Sequence, residues 1–341
     1  MPNNLKSLIM KRSILFFFVV SSFVHSCNNN PPRDELAFHK IIANDLFTMF
    51  PGTLRITSNH IILQNPFNKD AFLQVYNRQS GEEIISAGTI GRGPGEWNNP
   101  DISNVIHDRI AIYDAYLKQF IFTDVPTILN ISNPASIQKT DFILSKFVFL
   151  NESHYIAAHW KETHPFEMIS DGKVFSCGQY PFKKTVINSA DCFQGILQIH
   201  PQRELLVYAT LQNPYIALYR VGKENLTMTW ENQFKAPQYS IVEGQLQWGK
   251  EQPDGVSDVA FTKDYIVCLV KDFKNEARGQ DVAAAPKTVY VFDYKGKIIH
   301  ILDLPVHSVR LASDAETNTF YSVGLEPDYC IVEYDLTSMG L

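Results

Sequence analysis

Long hydrophobic runs are nearly absent from this sequence of 341 residues. The main one covers residues 14–24, and its 11 residues are too few to cross a bilayer as a helix, which needs about 20. Blocks of like charge are also missing, which excludes an acidic or basic tail. Helical periodicity is almost lacking, apart from residues 33–50, where a short helix is conceivable. The sequence therefore argues against a transmembrane helix and against a helical fold.

Short catalytic and metal-binding motifs are missing as well. There is no CxxC pair, no HExxH and no GxSxG, so the sequence offers neither a zinc site nor a nucleophile elbow. The glycine-rich residues 88–95 lack a following GK[ST] and a periodic helix, and Glu96 would repel a phosphate. We therefore predict no metal and no cofactor.

Basic residues are slightly outnumbered, with 30 Lys and Arg against 36 Asp and Glu and a formal net charge of −6. The first 26 residues hold three basic residues and no acidic one, so the rest of the chain is more acidic still. Affinity for nucleic acid depends on Lys and Arg that neutralise phosphates. The balance of charge therefore excludes a nucleic acid as the expected partner.

The N-terminus has the layout of a bacterial lipoprotein signal. Lys11 and Arg12 precede the apolar run, and residues 24–27 read Val-His-Ser-Cys, which resembles a lipobox. We predict a signal peptide over residues 1–26, with translation starting at Met1 or Met10. Lipidation at Cys27 would then be followed by a tether over residues 27–35. The alternative is an ordinary signal peptide with an incidental cysteine.

The remainder of the chain repeats one pattern of short strands. Two apolar runs around a polar turn, the pattern of a hairpin, recur six times, and a further strand with its own turn follows most copies. The copies cover residues 54–63, 103–113, 146–157, 197–208, 256–267 and 309–321. We interpret them as the second and third strands of each repeat. Repeats of 40–60 residues favour a propeller, so we predict an all-β, six-bladed β-propeller over residues 36–341, with four-stranded antiparallel blades.

The last repeat is too short to complete its blade. It ends near residue 336 with five residues left, so a strand from residues 36–48 would have to close the ring. Closure removes the open sheet edges that otherwise invite aggregation.

One segment resembles a known family. Residues 91–97 read GRGPGEW and are followed by Pro100 and by the strand sequence IAIYD at residues 110–114. This resembles the linker and strand of NHL-type repeats and, more closely, the TolB-like six-bladed propeller lipoproteins of bacterial envelopes. In that family a similar GPGE stretch follows the first clear blade. The resemblance implies the fold and an envelope location, in particular the outer membrane, but no particular activity.

Candidate ligand-binding residues fall in two groups. Arg92, Glu96 and Trp97 in the glycine-rich stretch either contact a ligand or belong to a linker between blades. The second group, which precedes inner strands, is Asp101, Asp191 and Asp258. These carboxylates either form an acidic rim for a cation or serve as turn residues, where Asp is common.

Four cysteines follow Cys27. Cys268 and Cys330 lie in apolar strands and are expected to pack as small hydrophobic residues. Cys177 and Cys192 flank a proline-containing stretch, and an oxidising envelope would permit a disulfide between them.

Two classes of function remain open. The first is a monomeric binding protein, tethered to the membrane by its lipid, whose propeller mouth holds a glycan, a peptide or an envelope protein. The second is a carbohydrate-active enzyme, a lyase or a hydrolase, with its site at the propeller mouth. No catalytic residue can be named, because propeller sites draw single residues from several blades. The absence of a catalytic motif favours binding.

Overall fold

Short antiparallel strands dominate the computed structural model, which describes residues 31–36, 39–128, 138–139, 146–158, 163–182, 186–271 and 285–341. Six sheets form the blades: each contains four antiparallel strands, and one of them has a fifth, parallel strand. The predicted six-bladed β-propeller is confirmed. Among the described residues, every helix is too short or too polar to span a bilayer.

The first three blades run in simple chain order. Blade 1 consists of β3 (Leu54–Ile56), β4 (His60–Gln64), β5 (Leu73–Asn77) and β6 (Glu83–Ala87). Blade 2 consists of β7 (Pro100–Ile106), β8 (Arg109–Asp114), β9 (Gln119–Thr123) and β10 (Gln138–Lys139). Blade 3 consists of β11 (Lys146–Asn151), β12 (His154–Ala158), β13 (Phe166–Ser170) and β14 (Lys173–Cys177).

The last three blades include two strands from the N-terminus. Blade 4 consists of β15 (Gly195–Ile199), β16 (Leu205–Thr210), β17 (Tyr215–Val221) and β18 (Leu226–Gln233). Blade 5 consists of β21 (Val256–Phe261), β22 (Tyr265–Val270), β23 (Thr288–Asp293), β24 (Ile298–Asp303) and the added β1 (Arg33–Glu35). Blade 6 consists of β25 (His307–Ser313), β26 (Thr319–Leu325), β27 (Tyr329–Asp335) and β2 (His39–Ala43).

Three short elements lie outside the blades. A hairpin, β19 (Tyr239–Val242) with β20 (Gln245–Trp248), follows blade 4. Two single-turn helices, α1 (Val125–Ile128) and α2 (Ser189–Cys192), lie between strands, and a 3₁₀ turn (Leu336–Met339) follows β27.

Ring closure follows the sequence-based prediction. Strand β2 pairs antiparallel with β27 and supplies the missing fourth strand of blade 6. Two details differ from the prediction. The described elements within residues 33–50 are the strands β1 and β2, and none of these described residues is helical. Strand β1 pairs parallel with β24, so residues 33–35, which were predicted to belong to the tether, are part of the blade 5 sheet. The six repeated hairpins are the first and second strands of each blade, not the second and third.

The core consists of six apolar clusters, one at each interface between neighbouring blades. Strand β22 shows how the sequence specifies them. Its side chains alternate between two interfaces: Val267 and Leu269 pack toward blade 6, while Ile266, Cys268 and Val270 pack toward blade 4. Because both faces of the strand are buried, its sequence is a continuous apolar run.

The cysteines of the described residues are free thiols. Cys268 and Cys330 are buried strand residues, as predicted. The Cys177–Cys192 disulfide is not formed. Cys177 packs at the interface of blades 3 and 4, whereas Cys192 packs beside the hairpin β19–β20 with Phe193 and Leu246. The two cysteines therefore serve separate apolar clusters. Cys27 and the signal peptide lie outside the described residues and stay predictions.

Candidate functional site: the central channel

The inner strands of the six blades surround a channel with a cavity at each end. At one end the interblade linkers lead into the inner strands, and a cavity of about 510 Å³, here called the linker-side cavity, opens there. At the other end, near the first turn of each blade, lies a cavity of about 550 Å³, the turn-side cavity. Arg55 and Gln198 line both cavities and therefore lie where the two approach each other.

Apart from Arg55, which lines both cavities, the Arg, Asp and Glu side chains of the turn-side cavity bind protein groups. Arg78 forms an ion pair with Asp314 at 2.6 Å and donates a second hydrogen bond to the hydroxyl of Tyr321 at 2.9 Å. That hydroxyl in turn donates to Glu333 at 2.6 Å. Asp108 accepts the backbone N–H of Ser58 at 2.9 Å. Groups already paired with each other have little to offer a ligand, so this end of the channel is the weaker candidate.

The linker-side cavity is different, because several of its polar groups lack a partner among the described residues. The hydroxyl of Ser257 is buried without any hydrogen bond. Buried polar groups are normally paired, so an orphaned hydroxyl in a cavity indicates a place for a ligand or water. Among the described residues, the side-chain amide of Gln198 and the ammonium of Lys146 form no hydrogen bond or ion pair.

Two arginines dominate the charge of the linker-side cavity. Arg55 on β3 and Arg310 on β25 occupy corresponding positions in the inner strands of blades 1 and 6. Each donates one bond across to the next blade: Arg55 Nε to the carbonyl of Ser103, and Arg310 Nε to the carbonyl of Gly52 at 2.9 Å. Each also donates an Nη1 bond of 2.8 Å to the carbonyl of the preceding residue in its own strand.

The electrostatic setting of Arg55 is unusual for a guanidinium. Burial lowers its pKa from the ordinary value, while the carboxylates of Asp258 and Asp101 oppose this effect and the nearby charge of Arg310 adds to it. No ion pair joins Arg55 or Arg310 to a carboxylate among the described residues. Both side chains are half-buried, and charges withdrawn from water are normally paired, so the guanidinium of Arg55 is the second sign of a site.

The structure brings two of the three carboxylates of the predicted acidic rim to one cavity. Asp101 and Asp258 both line the linker-side cavity, whereas Asp191 is exposed on α2 and lines neither of the two cavities. Asp258 is occupied: its two oxygens accept the backbone N–H groups of Val259 and Leu311, each at 2.9 Å. Because Leu311 belongs to blade 6, this carboxylate joins two blades and is not free to coordinate a cation.

A substitution pair separates these roles. Replacing Asp258 by Ala leaves two buried N–H groups without an acceptor, so we expect a loss of roughly 2–4 kcal/mol of unfolding free energy. Asp101→Ala is the matched control, since Asp101 accepts only a long bond of 3.4 Å from Thr53 and should lose less than about 1 kcal/mol. Urea denaturation of both variants measures the difference. Equal losses would contradict the structural role of Asp258.

The glycine-rich stretch is a linker between blades 1 and 2. Trp97 is 2% exposed and packs edge-on against Phe72 at 5.7 Å. Glu96 accepts the backbone N–H of Gly93 at 2.6 Å, and a Cβ on Gly91 would lie 2.0 Å from its carboxylate. The glycines are thus needed for backbone and carboxylate to approach closely. Arg92 is exposed, and Arg92, Glu96 and Trp97 line neither of the two cavities.

Exposed apolar side chains lie on one side of the linker-side end, near blades 6, 1 and 2. They lie on the connections β2–β3, β4–β5 and β8–β9, which all reach this end of the channel. This apolar rim consists of Phe47, Met49, Phe50, Phe67 and Tyr116. Phe47 is 86% exposed, and Phe50 covers the guanidinium of Arg310 at 5.3 Å.

Sequence reasoning missed the residues that make this site. Arg55, Arg310, Gln198 and Ser257 come from four different blades, so no spacing along the chain links them. One signal was present: in both Leu54-Arg55-Ile56 and Val309-Arg310-Leu311, an arginine stands between apolar residues at corresponding positions of two repeats. An arginine on the inner strand must face the channel, because the flanking residues fill the blade interfaces.

The described residues define a six-bladed propeller with a polar, partly unpaired cavity at one end and no cluster of side chains suited to a metal. A model of the TolB-like 6-blade propeller-like family matches residues 33–312, and the chain belongs to this family. No curated protein matches the chain.

Solved structures share the fold at low identity. A member of the DUF4221 family from Bacteroides vulgatus is 8% identical, with a TM-score of 0.55 over 88% of this chain and 98% of that one. The calcium-binding protein regucalcin from Agrobacterium tumefaciens is also 8% identical, with a TM-score of 0.50 over 89% of this chain and 95% of that one. At such identities the likeness concerns the fold alone.

Proposed function

We propose that this chain is an envelope-anchored lipoprotein whose propeller binds a ligand through its linker-side mouth. The observation that carries the proposal is the set of unpaired polar groups in that cavity, above all the orphaned hydroxyl of Ser257 and the two arginines without ion pairs. Its volume of about 510 Å³ lies within the range of about 300–1,000 Å³ usual for small-ligand pockets.

The apolar rim supports binding as well. Soluble domains rarely expose several large apolar side chains together unless the surface contacts a partner. Aromatic faces such as those of Phe47, Phe67 and Tyr116 stack on sugar rings or on apolar side chains. An apolar rim beside a polar cavity suits an extended ligand whose polar end enters the channel and whose remaining part lies across the rim.

The test is a panel of glycans and peptides, read for binding and for product release with the purified chain. Binding that weakens in a Ser257→Ala variant, with the ligand recovered unchanged, supports the proposal. Release of a product would replace binding by a lyase or hydrolase activity. Failure of the whole panel to bind would count against a ligand site at this mouth.

Membrane anchoring is a separate prediction. Replacing Cys27 by Ala removes the thiol that would carry the diacylglycerol, so we expect incorporation of a clickable fatty acid to disappear and the chain to leave the membrane fraction. Cys330→Ala is the matched control, because that thiol is buried in β27 and should leave labelling unchanged. Equal labelling of the Cys27→Ala variant would refute lipidation at this residue.

A further inference from the structure

The two channel arginines keep donors free. A guanidinium has five N–H donors. Arg55 and Arg310 each donate through Nε and Nη1, and Nη2 of each has no partner among the described residues. Backbone carbonyls, and for Arg310 also the ring of Phe50, fix the orientation of the two groups. The donors are therefore held in place before any ligand arrives.

The net charge of the side chains that line the linker-side cavity favours an anion. Its charged side chains are the cations Arg55, Arg310 and Lys146 and the carboxylates of Asp101 and Asp258. Both oxygens of Asp258 accept backbone N–H groups, and among the described residues this carboxylate forms no ion pair with either arginine, although its charge raises the pKa of Arg55. Asp101 forms no ion pair with either arginine among the described residues. The surplus of one positive charge suits a monoanion better than a phosphate dianion.

The shape of the free donors favours a carboxylate. Arginine presents its N–H groups as a planar fork that matches the two oxygens of a carboxylate, and such charge-assisted bonds are about twice as strong as neutral ones. Ser257 and Gln198 add a hydroxyl and an amide to the same cavity, and these groups suit sugar hydroxyls. The apolar rim supplies aromatic faces at the mouth.

We propose that the Arg55–Arg310 pair binds the carboxylate of an acidic sugar, so that the ligand of this propeller is a uronate-containing saccharide. The inference rests on the proposed binding function and makes its ligand class specific. The uronate carboxylate lies between the two guanidinium groups, its ring hydroxyls contact Ser257 and Gln198, and neighbouring sugar units stack on the apolar rim.

Calorimetric titration of the purified chain tests the ligand class. The probes are tetramers of galacturonate, glucuronate and mannuronate, each compared with its methyl ester, together with neutral cellotetraose. We expect at least one free acid to bind about tenfold or more tightly than its ester, with an affinity that falls as salt rises. A peptide with a free C-terminus and its amide form a further pair, which separates a sugar carboxylate from a peptide carboxylate.

The outcomes separate this inference from the proposed function. Equal binding of acid and ester, or binding of the peptide acid alone, overturns the uronate assignment and leaves a binding protein. Binding of the neutral saccharide alone does the same. Failure of every probe to bind overturns both the inference and the proposed function.

Variants locate the site. Arg310→Gln should weaken uronate binding about 10- to 100-fold, and Arg310→Lys should restore part of the affinity because it keeps the charge but not the fork. Arg310 also joins blades, so Lys146→Glu, an exposed position, serves as a second variant and should weaken binding without altering thermal unfolding. Lys295→Gln, at an exposed turn on the other end of blade 5, is the matched control. If Lys146→Glu and a folded Arg310→Gln variant both bind the uronate with unchanged affinity, the proposed site is wrong.

Discussion

Deleting residues 36–48 is expected to unfold the whole propeller rather than blade 6 alone. The segment contains β2, and it buries Leu36 between blades 5 and 6, and Ile42 and Leu46 between blades 6 and 1. Losing these side chains lowers the free energy of unfolding by roughly 5 kcal/mol or more, which is comparable with the total stability of a typical domain. The open edge of β27 would then invite aggregation. Gel filtration and thermal unfolding, followed by circular dichroism, measure both effects.

A pair of substitutions provides the control for this deletion. Ile41 and Ile42 are neighbours on β2, but Ile41 is 39% exposed and Ile42 only 8%. Ile42→Asp places a carboxylate between blades 6 and 1 and should cost about 3 kcal/mol or more, whereas Ile41→Asp should cost less than about 1 kcal/mol. A deletion variant that stays monomeric and melts within a few degrees of the parent would show that the ring does not depend on β2.

Acidification between pH 6.5 and pH 4 is expected to destabilise the protein through His200. This side chain is 2% exposed and lies between blades 4 and 5, against Phe261 at 5.3 Å and Tyr294 at 6.0 Å. Burial lowers its pKa to about 4, and the nearby charge of Arg203 adds to the effect. The Nδ1 atom accepts the backbone N–H of Gln202, and Nε2 is buried without a partner.

The direction follows from where the proton binds. An unfolded histidine takes up a proton below about pH 6.5, while the folded His200 does so only near pH 4. Between these pH values the unfolded state binds more protons than the folded state. The free energy of unfolding is therefore largest near neutral pH and falls as the pH drops. A shift of this size corresponds to roughly 3 kcal/mol.

The variant His200→Asn tests this contribution, because asparagine can accept the same backbone bond and does not titrate. We expect the slope of unfolding free energy against pH to be flatter in His200→Asn than in the parent, measured by urea denaturation from pH 4 to pH 7. His107→Asn, at an exposed turn, is the control and should keep the parent slope. Identical slopes in the parent and in His200→Asn would contradict the assignment.

The fold was predictable because repetition is visible along the chain. Each blade repeats two apolar runs around a polar turn, and β22 alternates between two interfaces in the order in which its residues occur. The short last repeat also predicted that N-terminal residues close the ring, since a blade without a fourth strand leaves an open edge. The sequence analysis placed the repeated hairpin at the second and third strands of each blade, whereas it forms the first and second. A hairpin has the same sequence pattern at the inner and at the outer edge of a blade, so the pattern alone does not fix its position.

The site was predictable only in part. Asp101 and Asp258 were expected at one mouth and do line the linker-side cavity, but Asp191 does not. The chemistry of Asp258 depends on the backbone N–H of Leu311, which is 53 residues away in sequence. Trp97 looked suited to a ligand and is buried against Phe72 instead. Contacts between blades decide such roles, and they leave no local pattern.

The sequence by itself determined the all-β class, the number of blades and the need for an N-terminal closing strand, because these follow from the period and alternation of apolar residues. Only the tertiary structure decided which side chains meet in the channel. Arg55 and Arg310 lie 255 positions apart and become neighbours because β2 closes the ring between blade 6 and blade 1. The orientation of their free donors depends on that closed ring, since one of the two carbonyls that hold each guanidinium comes from the next blade or its linker.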